Sequence, residues 1–342
     1  MPTLWFWLVA AAIAMYVIFD GFDIGVGILH FLAARDDAER ARLLRVIGPV
    51  WDGNEVWLLA GGGTLYFAFP ALYAASFSGF YLPLMIVLWL LILRGISIEF
   101  RNHIESHLWI PFWDAIFCGS SALLAVFFGA ALGNVVRGVP LDESGLFFLP
   151  LWVNFLAPSP GNGLGVTGIL DWYTISVGVA ALATLGMHGA LWVMLKTNGE
   201  LHDRARVWRN RFWIAAGVFT VLITLESFSV QPHLAGSFRA APWGFFFPAL
   251  AITGFFGARF TRGLAAFLAS CVYIAGMLCS AAFGLFPLVL PSNGEPHTSL
   301  TIQNSSAAAH GLSAGLVWWI PGMLLVTAYF VFTYRRLAGT VE

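Results

Sequence analysis

Charge and cysteine are scarce in this sequence, and their scarcity excludes several classes of protein. Only 10% of the 342 residues are charged, whereas 59% are hydrophobic and 16% are aromatic. Soluble domains contain about 25% charged residues, and a formal net charge of −1 provides no field that would attract a polyanion. The composition therefore excludes a disordered chain, a nucleic-acid-binding protein and an ordinary cytosolic enzyme.

The sequence also lacks the usual patterns of metal, cofactor and nucleophile sites. Cys118, Cys271 and Cys279 lie in apolar stretches without the spacing of ligands, so neither a disulfide framework nor a cysteine-based metal site is expected. No phosphate-binding loop, nucleophile elbow or H-E-x-x-H motif is present. Of eight histidines, only His188 falls well inside an apolar stretch, and a membrane haem b needs two axial ligands. We therefore expect this chain to bind no haem and no metal, and we interpret His188 as a hydrogen-bonded core residue.

Long hydrophobic stretches are what the sequence has in abundance. The mean hydropathy is +0.81, and roughly 20 apolar residues are needed to cross a bilayer core about 30 Å thick. The first stretch has no basic n-region and no cleavage site, so we expect it to remain as a span. Nine transmembrane helices are predicted, over about 4–32, 52–75, 78–98, 112–134, 172–195, 212–228, 243–258, 264–288 and 312–334.

The positions of Lys and Arg predict how these helices are oriented. With the N-terminus outside and the C-terminus inside, 15 of the 17 Lys and Arg residues fall in inner loops and at inner helix ends. Only Arg137 and Arg239 fall on the outer side. Basic residues concentrate on the cytoplasmic side of membrane proteins, so the nine-span count and this orientation support each other.

The longest gap between the stretches divides the chain into two halves. It covers residues 135–171, is rich in proline and glycine, and is predicted to be an outer loop. We predict an all-α integral membrane protein with two four-helix bundles, 1–134 and 172–288. One peripheral helix follows in 289–342, together with an outer loop and a cytoplasmic tail. The segment 36–50 has apolar residues at helical spacing, so it is either an amphipathic helix on the inner surface or a solvated connector.

Ionisable residues inside the predicted spans are the candidate functional residues. Asp20 and Asp23 in the first span are three residues apart, as are Asp52 and Glu55 in the second, so each pair shares a helix face. Arg94 lies near the inner end of the third span. A charged residue in the bilayer costs roughly 2.5–3.5 kcal/mol and is retained where it faces a cavity or a partner. With a rise of about 1.5 Å per residue, the four acids form a ladder from the inner surface toward the middle of the membrane.

This cluster has two interpretations. In the functional one, the carboxyls conduct protons or cations from the inner side, and Arg94 keeps a neighbouring acid ionised. In the structural one, Arg94 only neutralises acids and holds three helices together. Glu99 and Arg101 are expected to form a solvated pair at the membrane surface. The glycines in 21–25 and 61–63 are expected to let another helix backbone approach closely.

Several segments of the chain form specific motifs. They include F-D-G-F-D-I-G-V-G at 19–27, W-D-G-N-E-V-W-L at 51–58 and G-G-G-T-L-Y-F-A-F-P-A-L-Y-A-A-S-F-S-G-F-Y at 61–81. R-G-I-S-I-E-F-R at 94–101 and shorter pieces as far as S-L-T-I at 299–302 extend the series. Together these segments resemble subunit II of the cytochrome bd-type quinol oxidases. The resemblance spans nearly the whole chain, and it is most specific in the first hundred residues.

The resemblance implies a membrane quinol:oxygen oxidoreductase in the bacterial inner membrane. Such an enzyme oxidises a quinol on the outer side, reduces dioxygen to water and takes protons from the inside, which builds a proton-motive force without pumping. Haem b558, haem b595 and haem d are then bound by a partner, subunit I, in a heterodimer surrounded by membrane lipid, to which small single-span accessory subunits can be added. The resemblance also implies that Asp20, Asp23 and Asp52 belong to a proton path or support it, with Arg94 matching a family arginine nearby.

Two other functions are compatible with the same residues. A stand-alone proton- or cation-coupled transporter also uses buried acids, but such carriers often contain inverted repeats and broken helices, and neither is recognisable in the sequence. A purely structural scaffold would keep the acids only for packing. Substrate uptake by the chain alone would favour the transporter, and dispensable acids would favour the scaffold.

Overall fold

The computed structural model describes residues 1–156, 167–294, 296–337 and 339–341, and the regular structure of this part is almost entirely α-helical. Short 3-10 helices lie at Pro242–Phe245 and Pro296–Thr298. Two strands, β1 (Leu288–Leu290) and β2 (Leu300–Thr301), form an antiparallel pair. The α-helices are α1 (Pro2–Ala33), α2 (Asp37–Ile47), α3 (Trp51–Ala68), α4 (Pro70–Gly79), α5 (Tyr81–Phe100), α6 (Trp109–Arg137), α7 (Trp172–Lys196), α8 (Glu200–Val230), α9 (His233–Ala240), α10 (Phe246–Phe260), α11 (Gly263–Leu285) and α12 (Ala309–Arg336).

The long helices have the length and hydropathy of membrane spans. Within the described residues, eight helices could cross a membrane, and the number becomes nine if the bent pair α3–α4 counts as one span. Each predicted stretch falls on a helix of this set. The predicted span 212–228 is the C-terminal part of a longer helix, because α8 begins at Glu200 and passes through a polar segment before it.

The second predicted span, 52–75, is not one straight helix. α3 ends at Ala68, and α4 begins at Pro70 at an angle of 120° to it. Proline has no backbone N–H and its ring clashes with the preceding helical turn, so it kinks or breaks an α-helix. Proline is favoured at the first position of a new helix. The prediction of a continuous helix is therefore wrong after residue 68.

The spans alternate in direction, which gives the bundle two distinct ends. At one end, the Arg204 Nε donates to the Ala33 carbonyl (2.7 Å), and Tyr334 donates to the Asn54 Oδ1 (2.8 Å). We call this the arginine-rich end; it contains the last turns of α1, α5, α7, α10 and α12 and the first turns of α3, α6, α8 and α11. At the opposite end, which we call the loop-covered end, the Trp5 Nε1 donates to the Leu312 carbonyl (3.1 Å).

The first helix, α1, is central in the bundle and packs against α3, α6, α7 and α11. Its glycines bring it into backbone contact with α7. A Cβ added to Gly25 would lie 2.8 Å from the Cα of Gly189, and one added to Gly21 would lie 2.9 Å from the Leu185 side chain. The close approach predicted for 21–25 is confirmed.

Two helices present faces that the rest of the described chain leaves uncovered. Of the glycines in 61–63, only Gly61 faces α1, whereas Gly62 and Gly63 have no atom of the described residues within 4 Å of an added Cβ. The close approach predicted for these two is not made inside this chain. In α12 the only buried side chain is that of Leu312.

The amphipathic segment forms a helix, α2, as one of the two interpretations of 36–50 predicted; its location on the inner side of the membrane stays a prediction. Asp36 caps its start, because its carboxylate accepts a hydrogen bond from the Glu39 N–H (2.8 Å). The Trp192 Nε1 in α7 donates to the Val46 carbonyl (3.0 Å). Four apolar side chains of α2 are buried against the protein: Leu43, Leu44, Val46 and Ile47.

The loop-covered end is closed by two irregular segments that pack on each other. Of the predicted loop 135–171, residues 157–166 lie outside the described residues. The Val139 N–H donates to the Pro291 carbonyl (3.0 Å), which joins this loop to the segment that carries β1. Phe147 and Leu290 belong to one hydrophobic cluster beneath the two segments, together with the first turns of α1.

Candidate functional site

Arg94 joins three of the spans at their buried faces. It lies in α5, is 0% exposed, and its Nη2 is 2.6 Å from the Asp20 Oδ1 of α1. The same nitrogen is 3.7 Å from the Glu55 Oε1 of α3. The Asp20 side chain is fully buried, and that of Glu55 is 26% exposed. The structure thus brings three of the five predicted site residues together around one guanidinium.

Asp23 lies beside this group and is bonded to Asn54, which is in turn bonded to Tyr334; neither residue was predicted from the sequence. The Asn54 Nδ2 donates to the Asp23 Oδ2 (2.7 Å), and both side chains are buried. The Tyr334 hydroxyl, from the last turn of α12, donates to the Asn54 Oδ1 (2.8 Å). Asn54 lies within the W-D-G-N-E motif, so it could have been found from the sequence. Tyr334 could not, because it is 280 residues away along the chain.

Asp52 is not brought into the network. Its side chain is exposed in the first turn of α3, where an acidic residue interacts favourably with the positive end of the helix dipole. Glu55 lies one turn further along the same helix and is partly exposed. Exposure of the carboxyls therefore decreases from Asp52 through Glu55 to Asp20 and Asp23.

Some polar atoms of the network have no protein partner. In the described part of the chain, the Asp23 Oδ1 and the Arg94 Nε and Nη1 are buried without a hydrogen bond. Buried polar atoms of this kind are normally satisfied by internal water. These atoms of the network are therefore available to form hydrogen bonds with internal water.

A second buried ionic network surrounds Asp114 in the first turns of α6. Its Oδ1 is 2.6 Å from both the His30 Nε2 and the Arg101 Nε. Its Oδ2 is 3.1 Å from the Arg40 Nε, and Arg101 also pairs with Asp37. The network connects α1, α2, α6 and the end of α5. Asp114 could have been recognised as an acid at the start of an apolar stretch.

This network contradicts the predicted solvated pair of Glu99 and Arg101. Arg101 is only 2% exposed and its guanidinium is bound to the carboxylates of Asp114 and Asp37, whereas the Glu99 side chain is exposed. The position of Arg101 directly after the third apolar stretch predicted a surface location. The turn after α5 instead folds it inward over the start of α6.

A third buried pair, Arg137 and Asp171, lies at the loop-covered end. The Arg137 Nη2 donates to the Asn134 Oδ1 (2.7 Å), and its Nη1 donates to the Gly168 carbonyl (3.1 Å) and pairs with Asp171. Asp171 also caps α7 by accepting a hydrogen bond from the Thr174 N–H (2.9 Å). Because these contacts fix the loop to the end of α6 and the start of α7, we assign this pair a structural role.

His188 is a satisfied core residue, as predicted. Its Nδ1 is 2.7 Å from the Ser270 Oγ, its Nε2 is 2.9 Å from the Ile18 carbonyl oxygen, and its ring stacks on Phe267 at 4.9 Å. Both ring nitrogens are therefore engaged within the protein. Across residues 1–156, 167–294, 296–337 and 339–341, no group of three or more His, Cys, Asp or Glu side chains could hold a metal ion.

These features define a multi-pass helical membrane protein whose polar site is a buried group of carboxyls sharing one arginine. A particular family is identified by comparison: residues 1–337 match the model of the family described as cytochrome bd terminal oxidase subunit II. The chain belongs to this family. It is therefore a subunit of a membrane oxidoreductase complex, and the prediction of a multi-pass protein of the bacterial inner membrane is confirmed.

Individual relatives agree with this assignment. The chain is 30% identical over 368 residues to the "Probable cytochrome oxidase subunit 2" of Haemophilus influenzae; the alignment covers 99% of this chain and 94% of the relative. It is 29% identical over 371 residues to the "Cytochrome bd-I ubiquinol oxidase subunit 2" of Escherichia coli K12, with the same coverage. The fold matches a chain of the bd oxidase structure from Geobacillus thermodenitrificans with a TM-score of 0.69 and 17% identity, covering 97% of this chain and 98% of that one.

Proposed function

We propose that this chain is the non-haem subunit of a cytochrome bd-type quinol oxidase, that it pairs with a haem-bearing subunit I, and that it conducts protons from the cytoplasm toward that partner. The family membership supports the first part, and the engagement of both nitrogens of His188 supports the assignment of haem b558, haem b595 and haem d to the partner. The complex oxidises quinol and reduces dioxygen to water. Taking protons from one side makes the reaction electrogenic without pumping.

The arginine-rich end is proposed to face the cytoplasm. The N-terminus then lies outside and the C-terminus inside, in agreement with the positive-inside rule. The two four-helix bundles are proposed to be 1–134 and 172–288, separated by the outer loop 135–171. The exposure of α12 along its length supports its assignment as a peripheral helix, within the segment 289–342.

One observation carries the proposed proton path: the Arg94 Nη2 contacts Asp20 at 2.6 Å and Glu55 at 3.7 Å. Two carboxyls therefore share a single guanidinium, and Asp23, three residues from Asp20 on α1, lies beside them. A proton can therefore bind to or leave one of them without leaving Arg94 unpaired in a medium where an uncompensated charge is costly. Glu55 is partly exposed and lies between the exposed Asp52 and the buried acids. The proposed order of proton transfer is therefore Asp52, then Glu55, then the buried Asp20 and Asp23.

The exposed stripe of α3 is proposed to contact subunit I. Asp52, Val56, Leu59, Gly63 and Tyr66 are all exposed and recur at helical spacing along one face. A carboxylate on this stripe is costly against lipid, and an open glycine lets a neighbouring helix approach closely. A protein partner satisfies both conditions better than lipid does.

The family assignment favours this function over a stand-alone transporter. One helix break does exist, at Phe69 between α3 and α4. In broken-helix transporters the break lies near the midplane. Here the break lies at the loop-covered end, where the Ala307 N–H donates to the Ala68 carbonyl (2.9 Å).

The proton path is tested by neutralising, in the assembled complex, the two acids that lie nearest its proposed cytoplasmic entrance. We expect Glu55→Gln to lower oxygen consumption about tenfold or more while haem content stays unchanged, because general proton transfer by a positioned group contributes roughly 10²–10⁴-fold. Asp52→Asn should give a smaller loss, since bulk water can replace an exposed donor. Glu99→Gln, an exposed acid at the end of α5, is the matched control. Full activity of Glu55→Gln in a normally assembled complex would contradict the path.

A further inference from the structure

We propose that Tyr334, in the last turn of α12, sets the orientation of the Asn54 amide and through it couples the protonation of Asp23 to water at the arginine-rich end. This inference rests on the proton path proposed above. It assigns a positioning role to a residue of the last helix, which otherwise contributes one buried side chain to the described structure.

A continuous chain of hydrogen bonds carries the proposal. The Tyr334 hydroxyl donates to the Asn54 Oδ1 (2.8 Å), and the Asn54 Nδ2 donates to the Asp23 Oδ2 (2.7 Å). Asn54 is 0% exposed, so the described protein supplies the partners on both sides of its amide. The Tyr334 ring is fixed by contacts with Phe19 (5.6 Å) and Trp192 (6.0 Å) between ring centres.

The two sides of an amide are chemically different, which links the orientation of Asn54 to the charge of Asp23. An ionised carboxylate only accepts hydrogen bonds and therefore requires the NH₂ side, whereas a protonated carboxyl can donate to the oxygen side. A tyrosine hydroxyl can donate to Oδ1 or accept from Nδ2, but a phenol oxygen is a weaker acceptor than its O–H is a donor. Tyr334 therefore keeps a hydrogen bond to Asn54 in either orientation and favours the one in which Nδ2 faces Asp23. A change in the protonation of Asp23 therefore reverses the hydrogen bonds as far as Tyr334.

The far end of this chain reaches a small crevice at the arginine-rich end. The crevice lies between the start of α3 and the end of α12, and Asn54 and Tyr334 both line it together with Pro49, Gly53 and Thr333. When Asn54 turns its NH₂ group toward Tyr334, the hydroxyl hydrogen is free to point into this crevice. Water there then exchanges a hydrogen bond with Tyr334 according to the state of Asp23.

Other ionisable groups act on the same pair and are part of the response. The ionisable groups near Asp23 are Asp20 of α1, Glu55 of α3 and Arg94 of α5. Tyr334 has Cys271 of α11 near it as well. The variants below leave all four in place, so a shift that they produce reports on the Tyr334–Asn54 connection.

The first experiment measures oxygen consumption against pH in the complex of this chain with its haem-bearing partner. Tyr334→Phe removes the group that favours the NH₂ side of Asn54 toward Asp23, so the carboxylate loses stabilisation and binds its proton more tightly. We expect the limb of the profile that Asp23→Asn removes to move to higher pH by about 0.5 to 1 unit, the size of one net hydrogen bond. Tyr329→Phe is the matched control, since that hydroxyl lines the same crevice and is not bonded to Asn54 in the described chain.

A double-variant cycle tests whether Tyr334 acts through Asn54. Asn54→Leu should shift the same limb in the same direction, and adding Tyr334→Phe to it should shift the limb no further, because interacting residues are not additive. Additive shifts, or an unchanged limb in Tyr334→Phe, would overturn the proposal.

An infrared measurement keeps the proposal testable if Tyr334→Phe does not assemble. In the unaltered complex with isotope-labelled tyrosine, a tyrosine signal should change with pH together with the Asp23 carboxyl signal, and both should be lost in Asp23→Asn. A carboxyl signal without a coupled tyrosine signal would overturn the inference alone. An unaltered pH profile in Asp23→Asn would instead remove the part of the proposed proton path that runs through Asp23.

Discussion

Two of the buried ionic networks in the described residues are groups in which one charged residue serves several partners. Arg94 faces two carboxylates in the middle of the bundle, and Asp114 faces two arginines and the His30 ring at its arginine-rich end. Removing one member of such a group leaves the others buried and uncompensated, which costs about 3–5 kcal/mol in soluble proteins. Single charged residues therefore control the folding of several helices at once.

We expect Arg101→Ala to reduce the yield of haem-loaded complex about as strongly as Arg94→Ala. Sequence reasoning alone predicts the milder effect for Arg101, on the assumption that it is at the surface. Its burial and its bonds to Asp114 and Asp37 remove that assumption. Purified yield and haem absorbance are the measurements. Arg206→Ala, whose side chain is 53% exposed, is the control, and a yield of Arg101→Ala equal to that control would show that its network is dispensable.

Two features position individual helices: glycines at which two helix backbones come into contact, and a proline at which one helix ends and the next begins. Gly25 lets α1 contact α7 along its backbone, and Pro70 ends α3 and starts α4. The first effect positions Asp20 and Asp23 beside α3 and α5. The second turns the chain at the loop-covered end so that α5 can bring Arg94 back toward α1.

Gly25→Val should separate α1 from α7 and lower the thermal stability of the complex. A Cβ at this position would lie 2.8 Å from the Cα of Gly189 and 2.7 Å from its nitrogen, and backbone atoms cannot move aside without moving the helix. Overpacking of this kind typically costs 1–3 kcal/mol or more. Gly119→Val in α6 is the control, because an added Cβ meets no described atom there. Equal unfolding temperatures for the two variants would contradict the crossing.

In the described chain, two helices have long exposed faces that no other helix of the chain covers. α12 is exposed along most of its length, and α3 exposes a stripe that begins with Asp52 and includes Gly63. Both helices flank the buried carboxyls through Asn54, Glu55 and Tyr334. A partner that covers α3 would therefore lie next to the proposed proton path.

We expect Gly63→Trp to leave this chain folded in the membrane but to prevent its stable pairing with subunit I. A Cβ added at Gly63 meets no described atom within 4 Å and the residue is exposed, so the larger side chain can point away from this chain, whereas a close helix contact across α3 would be blocked. Co-purification of the two subunits and the amount of membrane-inserted chain are measured together. Gly119→Trp serves as the control on a different face, and normal co-purification of Gly63→Trp would place the interface elsewhere.

Much of the architecture could be read from local sequence. Hydropathy identified the spans, because the energy of inserting a helix depends mainly on its own residues. The candidate acids could also be named, since a charge in an apolar stretch is conspicuous wherever it occurs. Bends were less accessible: the change of direction at Pro70 lies inside an apolar run whose hydropathy does not change.

The contacts between the buried charged residues depend on the packing of helices that are distant in the sequence. The sequence placed Asp20, Asp23, Asp52, Glu55 and Arg94 at related depths, but helix rotation puts Asp52 outside the network and brings in others. The additional members are Asn54 and Tyr334 beside Asp23, and His30, Arg40 and Arg101 around Asp114. Depth follows from the number of residues along one helix, whereas contact depends on the angle and spacing between two helices, which only the assembled bundle fixes.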